Sequence, residues 1–444
     1  MFVSQSHQPQ VLPAEAYYSP EQHRLEMERL FAPGWHCVGT TAEIPAEGDY
    51  ITLDLLGRPL IVWRREGAIH VFLNVCAHRY TQLTSCPRGQ MPTLRCQYHG
   101  WEYGSDGATR TIPDARSFRP LAREMAALTK LRSQTCGQLI FVTLADDAPP
   151  LEEYLGPGYP LAAEVFSHAW RPTLALEQPV EANWKLLLEN VLENYHLVAV
   201  HGRTFKAFPP EEICHHELAP HWTLYRERSD GRHSHLSGMA RAVAWLVGVE
   251  AEIGIDHLHC YPNLVVAKMG LHSWVQVVLP DGPTRARSRW RFFHYAGTAG
   301  GSRARLGAWL LRSWGQRFFR QVLEEDGRLL PDVQRGLSAA TLPRGGLIST
   351  REERIVHFQS YVARSLGVSP TSPMSLALPA SAAPADAAVA CDCTAPAAAT
   401  VARDCMTPAD AAVACDDSEP DDAAVQRESR GQVNPSIHYR STPR

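Results

Sequence analysis

The sequence predicts an α+β protein: a small all-β domain, then helices packed on an antiparallel sheet, then a tail that forms no core. Three observations carry this. Residues 36–150 alternate short β-rich runs with glycine-containing turns. Residues 151–366 mix apolar-periodic helical stretches with paired strand-like runs. After about Gly367 the composition collapses onto Ala, Pro, Asp and Ser, with almost no aromatic side chains.

The elements follow in order. GDYITLDLLGRPLIVWRREGAIHVFLNVC reads as three strands, and GQLIFVTLADD as another. EANWKLLLENVLENYHLVAVH has helical composition and spacing. HLHCYPNLVVAKMG and HSWVQVVLPDG read as paired strands. RARLGAWLLRSWGQRFFRQVLEEDGRLLPDVQRGLS reads as a long amphipathic helix, with an interruption expected near Gly327 and Pro331. In the tail, PADAAVACD at Pro384–Asp392 recurs at Pro408–Asp416. Such a segment cannot bury enough apolar surface to offset its ordering entropy, so residues 367–444 are expected to be disordered.

The chain of 444 residues is 45% hydrophobic with a net charge of −4. That balance speaks against a basic nucleic-acid binder and against a polybasic membrane-surface protein. No stretch approaches the roughly 18 apolar residues that span a bilayer. The first twenty residues have neither the charged nor the apolar region of a signal peptide, so a cytoplasmic protein is expected. Eleven cysteines scattered over this length suit metal ligation or reduced thiols better than a disulfide framework.

CAHRYTQLTSCPRGQMPTLRCQYHGW, from Cys76 to Trp101, reduces to C-x-H-x17-C-x2-H: Cys76, His78, Cys96 and His99. Structural zinc sites usually pair like ligands, C-x2–4-C with H-x3–5-H. Here each short loop offers one thiolate and one imidazole. That suits a Rieske [2Fe–2S] cluster, two cysteines on one iron and two histidines on the other, gripped between two fingers. Gly100 allows close backbone approach, and Trp101 either shields the cluster or fills the core. No second cysteine pair is positioned to brace the loops, since the spare positions are Thr81 and Tyr98. A low reduction potential is therefore expected. Cys86 reads as an ordinary thiol.

NWKLLLENVLENYHLVAVHGRTF contains E-x2-H-x4-H: Glu193, His196 and His201. Two histidines and a carboxylate on one face are the ligand set of non-haem Fe(II) oxygenases. A spacing of five turns through about 140° beyond a full turn of an ideal helix. Both histidines reach one metal only if the helix bulges between them or ends near Val200. Glu193 is read either as a ligand or as a hydrogen-bond partner of a metal-bound imidazole. His215, His216, His233 and His235 read as loop histidines, and Trp274, Trp290 and Phe292 as core.

Together these motifs resemble the α subunit of Rieske non-haem iron oxygenases, the ring-hydroxylating and amine-oxidising family, over roughly residues 12–366. LPAEAYYSPEQHRLEMERLFAPGWHCVG resembles its helical entry, CYPNLVV a sheet strand with a Pro-Asn-Leu turn, and LEEDGRLLPDVQRG the segment supplying the carboxylate. The resemblance implies four parts: an N-terminal helical segment (1–35) packing on the catalytic domain, a Rieske domain (36–150), a helix-grip, START-like catalytic domain (151–366), and the tail (367–444). It implies cluster ligands Cys76, His78, Cys96 and His99, mononuclear Fe(II) ligands His196, His201 and Asp326 in preference to Glu325, and Glu193 as a bridge. In the family that acidic residue joins the iron histidine of one subunit to the cluster histidine of its neighbour in a ring-shaped homotrimer. Glutamate at this bridge is similar to the choline- and carnitine-type monooxygenases, although Asn194 stands where their cysteine does. The implied activity is a terminal oxygenase. It would take electrons from NAD(P)H through a separate flavin/iron–sulfur reductase, with or without a ferredoxin, and use O2 to hydroxylate a small organic substrate or remove an N- or O-methyl group. Aromatic ring dioxygenation is the alternative, and a Rieske electron carrier without oxygenase activity the remote one.

Overall fold

The structure, a computed structural model, describes residues 1–228, 237–249, 254–297, 300–343 and 346–367. The expected disorder of residues 367–444 therefore lies, after Gly367, outside the described residues, as do His233 and His235.

Two seven-stranded antiparallel sheets organise the described residues. The first runs, in spatial order, Trp35–Thr40, Leu139–Thr143, Lys130–Cys136, Ala68–Leu73, Arg58–Arg65, Asp49–Leu55 and Arg88–Gln90. The three strands expected from GDYITLDLLGRPLIVWRREGAIHVFLNVC are its consecutive hairpins, turning at Leu56-Gly57 and Glu66-Gly67, all at positive φ. A small three-stranded sheet, Leu94–Arg95, Glu102–Tyr103 and Thr109–Thr111, stands beside it. The second large sheet runs Trp170–Val180, Arg285–Tyr295, His272–Gly282, Leu264–Met269, Gly254–Cys260, Trp222–Arg228 and Cys214–Ala219.

Across the second sheet sits the helix Ser302–Leu337. It runs unbroken through Gly327 and Pro331, where an interruption was expected. Gly327 abuts the Gln178 side chain, whose terminal amide would have to shift to admit a Cβ. Pro331 gives up one main-chain bond, while Leu330 and Gln334 on either side of it are buried and hold the helix to its neighbours.

The stretch EANWKLLLENVLENYHLVAVH is also not one helix. Asn183 caps a helix Trp184–Val191, accepting from the Lys185 N–H at 3.0 Å. The chain then turns and resumes as a four-residue helix, Leu197–Val200. The expected end at Val200 is present, and the additional break lies before His196.

The N-terminal residues pack on the helices of the second domain through buried polar groups. Glu26 accepts from Lys185 Nζ at 2.5 Å and from Trp184 Nε1 at 2.7 Å, and the Lys185 and Glu26 side chains are fully buried. Tyr17 donates to Glu189 at 2.6 Å, and Gln359 Nε2 reaches both. Burial raises the Glu189 carboxyl to about 7, against the hydrogen bonds from Tyr17 and Gln359 and the Lys185 charge.

Removing one member of a buried ion pair leaves an uncompensated charge. Lys185→Met is expected to destabilise the protein by about 3–5 kcal/mol, and Lys185→Met with Glu26→Leu by much less. Urea unfolding followed by tryptophan fluorescence checks this; equal losses in the single and double variants would contradict it.

Candidate metal centres and active-site cavity

The two cysteine–histidine loops share one backbone design. In the first, Tyr80 N–H bonds Cys76 O at 3.0 Å and Cys76 N–H bonds Thr81 O at 2.8 Å. In the second, Gly100 N–H bonds Cys96 O at 3.0 Å and Cys96 N–H bonds Trp101 O at 2.8 Å. The fourth residue after each cysteine takes positive φ, Gly100 at 72° and Tyr80 at 61°. Gly100 therefore serves the turn itself, and Tyr80 adopts the same turn at a steric cost that glycine avoids.

These turns bring the four expected residues together at one end of the first domain. Cys76 and Cys96 are buried, and His78 and His99 stand ring to ring with centroids 4.6 Å apart. Trp101 stacks on His78 at 5.0 Å and is also buried, so it is both shield and core. The donors fit a cluster. His78 Nδ1 is buried with no hydrogen-bond partner, and Cys76 and Cys96 are free thiols. Tyr103, which sequence reasoning passed over, brings its hydroxyl 3.0 Å from Cys76 Sγ. Cys86 is exposed and free.

The second centre is built on the turn after Val191. Glu193 accepts main-chain N–H groups from Tyr195 and, at 3.1 Å, from His196, so its carboxylate holds the turn that leads into the short helix. Its other oxygen holds His196 Nδ1. His201, at the far end of the same short helix, is held in the same way: Glu325 Oε2 lies 2.6 Å from its Nδ1. Both Nε2 atoms then face Asp326, whose Oδ1 is 3.0 Å from His201 and 3.6 Å from His196.

Glu325 and Asp326 thus bracket His201 from consecutive positions on the long helix, one on each ring nitrogen. A donor at each Nδ1 leaves the Nε2 lone pairs free. One ligand atom from each of His196, His201 and Asp326 lies within 4.8 Å of the others. His201 Nε2 and Asp326 Oδ1 are buried without hydrogen-bond partners, the state of a donor set built for a cation. Burial lowers the basicity of His201, but the Asp326 and Glu325 carboxylates outweigh it and raise the imidazole above its usual range. The hydrogen bond from Gln321, then that from His201, holds the Glu325 carboxyl below its own.

A cavity of about 180 Å³ opens beside these three residues. Strand register gives its floor one continuous row: His216, Tyr225, His257, Ala267, Trp274, Phe292. The row is polar at one end, aromatic at the other, and holds its smallest side chain between them. Trp274, Trp290 and Phe292, expected as core, do form a hydrophobic core cluster, whose surface is also cavity wall, with Phe319 stacked on Phe292 at 4.1 Å. His216 is no loop histidine: it is buried on the strand Cys214–Ala219, its Nδ1 2.7 Å from Glu353, whereas His215 on that strand is exposed. Alternation along the strand could have separated these two; nothing local marks Glu325 or Glu353.

Comparison with known proteins agrees with this geometry. Residues 34–130 match the Rieske [2Fe-2S] domain, and residues 166–367 match the catalytic domain of the ring hydroxylating alpha subunit. The chain belongs to the Rieske non-haem iron oxygenase α subunits. It is 26% identical over 367 residues to the chloroplastic choline monooxygenase of Spinacia oleracea, covering 80% of this chain and 78% of that one. It is also 26% identical over 398 residues to the glycine betaine monooxygenase oxygenase subunit of Chromohalobacter salexigens, covering 80% and 85%. A solved quaternary ammonium Rieske monooxygenase, tied to carnitine oxidation and inter-subunit electron transfer, superposes with a TM-score of 0.66 at 21% identity, covering 80% of this chain and 95% of that one. This oxygenase works as the terminal component of its system, with an organic substrate, O2 and a reductase. No described helix is long and apolar enough to cross a membrane.

Losing a partner of a metal-bound histidine typically weakens metal binding by roughly 10–100-fold. Glu325→Ala is expected to lower Fe(II) affinity by that order while leaving the cluster's visible spectrum unchanged. Anaerobic Fe(II) titration reads the effect, and unchanged affinity would show that Glu325 does not hold His201.

Proposed function

We propose that this oxygenase monooxygenates a small organic molecule at a C–H bond, N- and O-methyl groups included, in copies arranged as a homotrimer. The observation that carries it is the convergence of two clamped imidazoles and one orphaned carboxylate oxygen at the wall of an aromatic cavity. Cys76, His78, Cys96 and His99 are assigned to the cluster, and His196, His201 and Asp326 to the mononuclear iron. When loaded, the cluster supplies single electrons and the mononuclear iron supplies the oxygen chemistry.

The chain's own groups set the conditions. Glu193 and Glu325 keep protons on the Nδ1 atoms, and the tryptophan and phenylalanine wall keeps water out. O2, two electrons and two protons convert R–H to R–OH and water. A hydroxylated N-methyl carbon then leaves as an aldehyde, giving the demethylated amine.

Glu193 is the proposed bridge between subunits. Both of its oxygens are engaged within the chain, yet a carboxylate offers about four acceptor positions. One remains for a neighbour's His99, which is only half-buried at the end of its loop. The solved relative's inter-subunit electron transfer supports this arrangement, and the choline and glycine betaine monooxygenases support monooxygenation over ring dioxygenation. The electron donor in this reading is a flavin/iron–sulfur reductase fed by NAD(P)H. The compartment is cytoplasmic, where thiol ligands stay reduced; the spinach relative is chloroplastic.

Protein loaded with iron, chemically reduced and exposed to ¹⁸O2 with a panel of N-methyl amines is expected to place one labelled atom per product. Two labelled atoms would favour ring dioxygenation, and no labelled product from any amine or arene would sink the oxygenation chemistry. Glu193→Gln is expected to retain both metals but slow re-oxidation of the reduced cluster in a single turnover by at least tenfold. An unchanged rate in stopped flow would remove the bridge.

A further inference from the structure

The polar end of the cavity has a property that neither the metal ligands nor the aromatic wall explains. Glu227 sits on the inward face of the strand Trp222–Arg228 and lines the cavity. One of its oxygens accepts the Tyr225 hydroxyl proton at 2.8 Å. Among the described residues, the other oxygen has no hydrogen-bond donor and no cation within ion-pair distance.

The Tyr225 hydroxyl beside it is fully committed. Tyr225 has given its proton to Glu227, so its oxygen can only accept, and it takes Asn194 Nδ2 at 3.3 Å, with the Cys214 thiol at 3.5 Å. This fixes the Asn194 amide with Oδ1 turned away from Tyr225. That oxygen is buried with no partner, on a residue 8% exposed that also lines the cavity.

The nearby arginines do not answer Glu227. Arg354 is fully buried and gives its donors to Thr223, Leu192 and His257. Arg351 lies over the rings of Phe2 and Phe208, each 5.4 Å away, and donates to Pro209 O at 3.1 Å. His216 spends its Nδ1 proton on Glu353, which leaves its other nitrogen an acceptor. His257 accepts from Arg354 at Nδ1 and so carries its proton on Nε2.

We propose that this corner is the binding site for a substrate ammonium that carries at least one N–H, held by the Glu227 carboxylate with Asn194 Oδ1 as a second acceptor. A half-buried carboxylate without a counter-ion and an orphaned amide oxygen, both on residues lining one cavity, are satisfied by a cation that donates hydrogen bonds. A quaternary ammonium brings charge but no donor, and a carboxylate brings the wrong sign. The amine is then a handle: it anchors one end of the molecule while an apolar portion lies along Trp274 and Phe292. Burial raises the Glu227 carboxyl, against the hydrogen bond from Tyr225, as fits an acid that awaits its partner.

The inference specifies the substrate class of the proposed oxygenase site and rests on that site's cavity. It is tested by binding, without turnover. N,N-dimethylbutylamine, which is protonated and has one N–H, is titrated against butyltrimethylammonium and butyrate, read by fluorescence of the wall tryptophans and by calorimetry. The amine is expected to bind roughly tenfold or more tightly than the quaternary ion, and butyrate least. Glu227→Gln is expected to bring the amine and quaternary ion to within about twofold of each other, with Fe(II) affinity unchanged. Tyr225→Phe keeps the carboxylate and is expected to keep the preference. Equal affinities in the unaltered protein, preference for the quaternary ion, no detectable binding of the amine, or a preference that survives Glu227→Gln overturns the proposal. Iron loading and ¹⁸O incorporation are measured separately, so failure of the oxygenation chemistry is seen independently of failure here.

Discussion

The site depends on one constraint: each of two imidazoles is gripped at Nδ1 by a glutamate, so that both Nε2 atoms are presented to one aspartate. An unheld histidine has two tautomers and a freely turning ring. Glu193 and Glu325 remove both freedoms. Glu193 does so from within the turn itself, so the same carboxylate that holds the turn's main chain also aims the first histidine. Glu325 does so from the long helix, one residue before Asp326, so a single helical position sets both the clamp and the converging oxygen. A five-residue separation of histidines is incompatible with one face of a regular helix. The chain resolves it by stopping the helix at Val191 and reserving a single turn for Leu197–Val200.

The clamp is only as good as the elements that carry it. The helix Trp184–Val191 is fixed at its start by Gln334 Oε1, which accepts from Asn183 N–H at 2.8 Å. Gln334 lies on the long helix two turns past Asp326, and its amide also donates to Tyr17 O at 3.1 Å. At the other end of the turn, Arg354 donates to Leu192 O at 3.4 Å and ties it to the sheet through Thr223 and His257. N-terminal, central and C-terminal segments therefore meet in one polar web beneath the metal site, and the burial of Lys185 and Glu26 makes its geometry hard to change piecemeal. The aromatic wall is likewise supplied by both the sheet and the long helix, through Phe292 and Phe319.

Much of this was legible in the sequence because local chemistry announced it. Cys76, His78, Cys96 and His99 lie in two short loops whose spacing excludes most rivals, and the loops' closing turns follow from residues adjacent to them. The hairpins of the first domain carry glycine at each turn. His196 and His201 were legible as a pair, but the helix break before them was not: apolar periodicity runs through Leu192, and only the tertiary bond from Arg354 and the bonds of the Glu193 carboxylate to the turn's main chain show why the chain turns there. Asp326 against Glu325 needed three dimensions, since adjacent acids on a helix differ only in direction. Trp274, Trp290 and Phe292 alternate as core residues do and pack as such, and that the same cluster also borders a cavity is a tertiary fact no local pattern carries. Pro331 was misjudged because its cost is local and its support, the buried Leu330 and Gln334, is not.

The central claim is that one chain carries two different iron sites, with the second owed to the clamped histidines. The most direct measurement is iron, zinc and acid-labile sulfide per chain on anaerobically purified, Fe(II)-reconstituted protein, side by side with His196→Ala. The account predicts about three irons and two sulfides for the unaltered chain, and about two irons and two sulfides with undiminished cluster colour for the variant. Two irons and two sulfides in both, unchanged by reconstitution, would leave only an electron-carrying cluster and contradict the account.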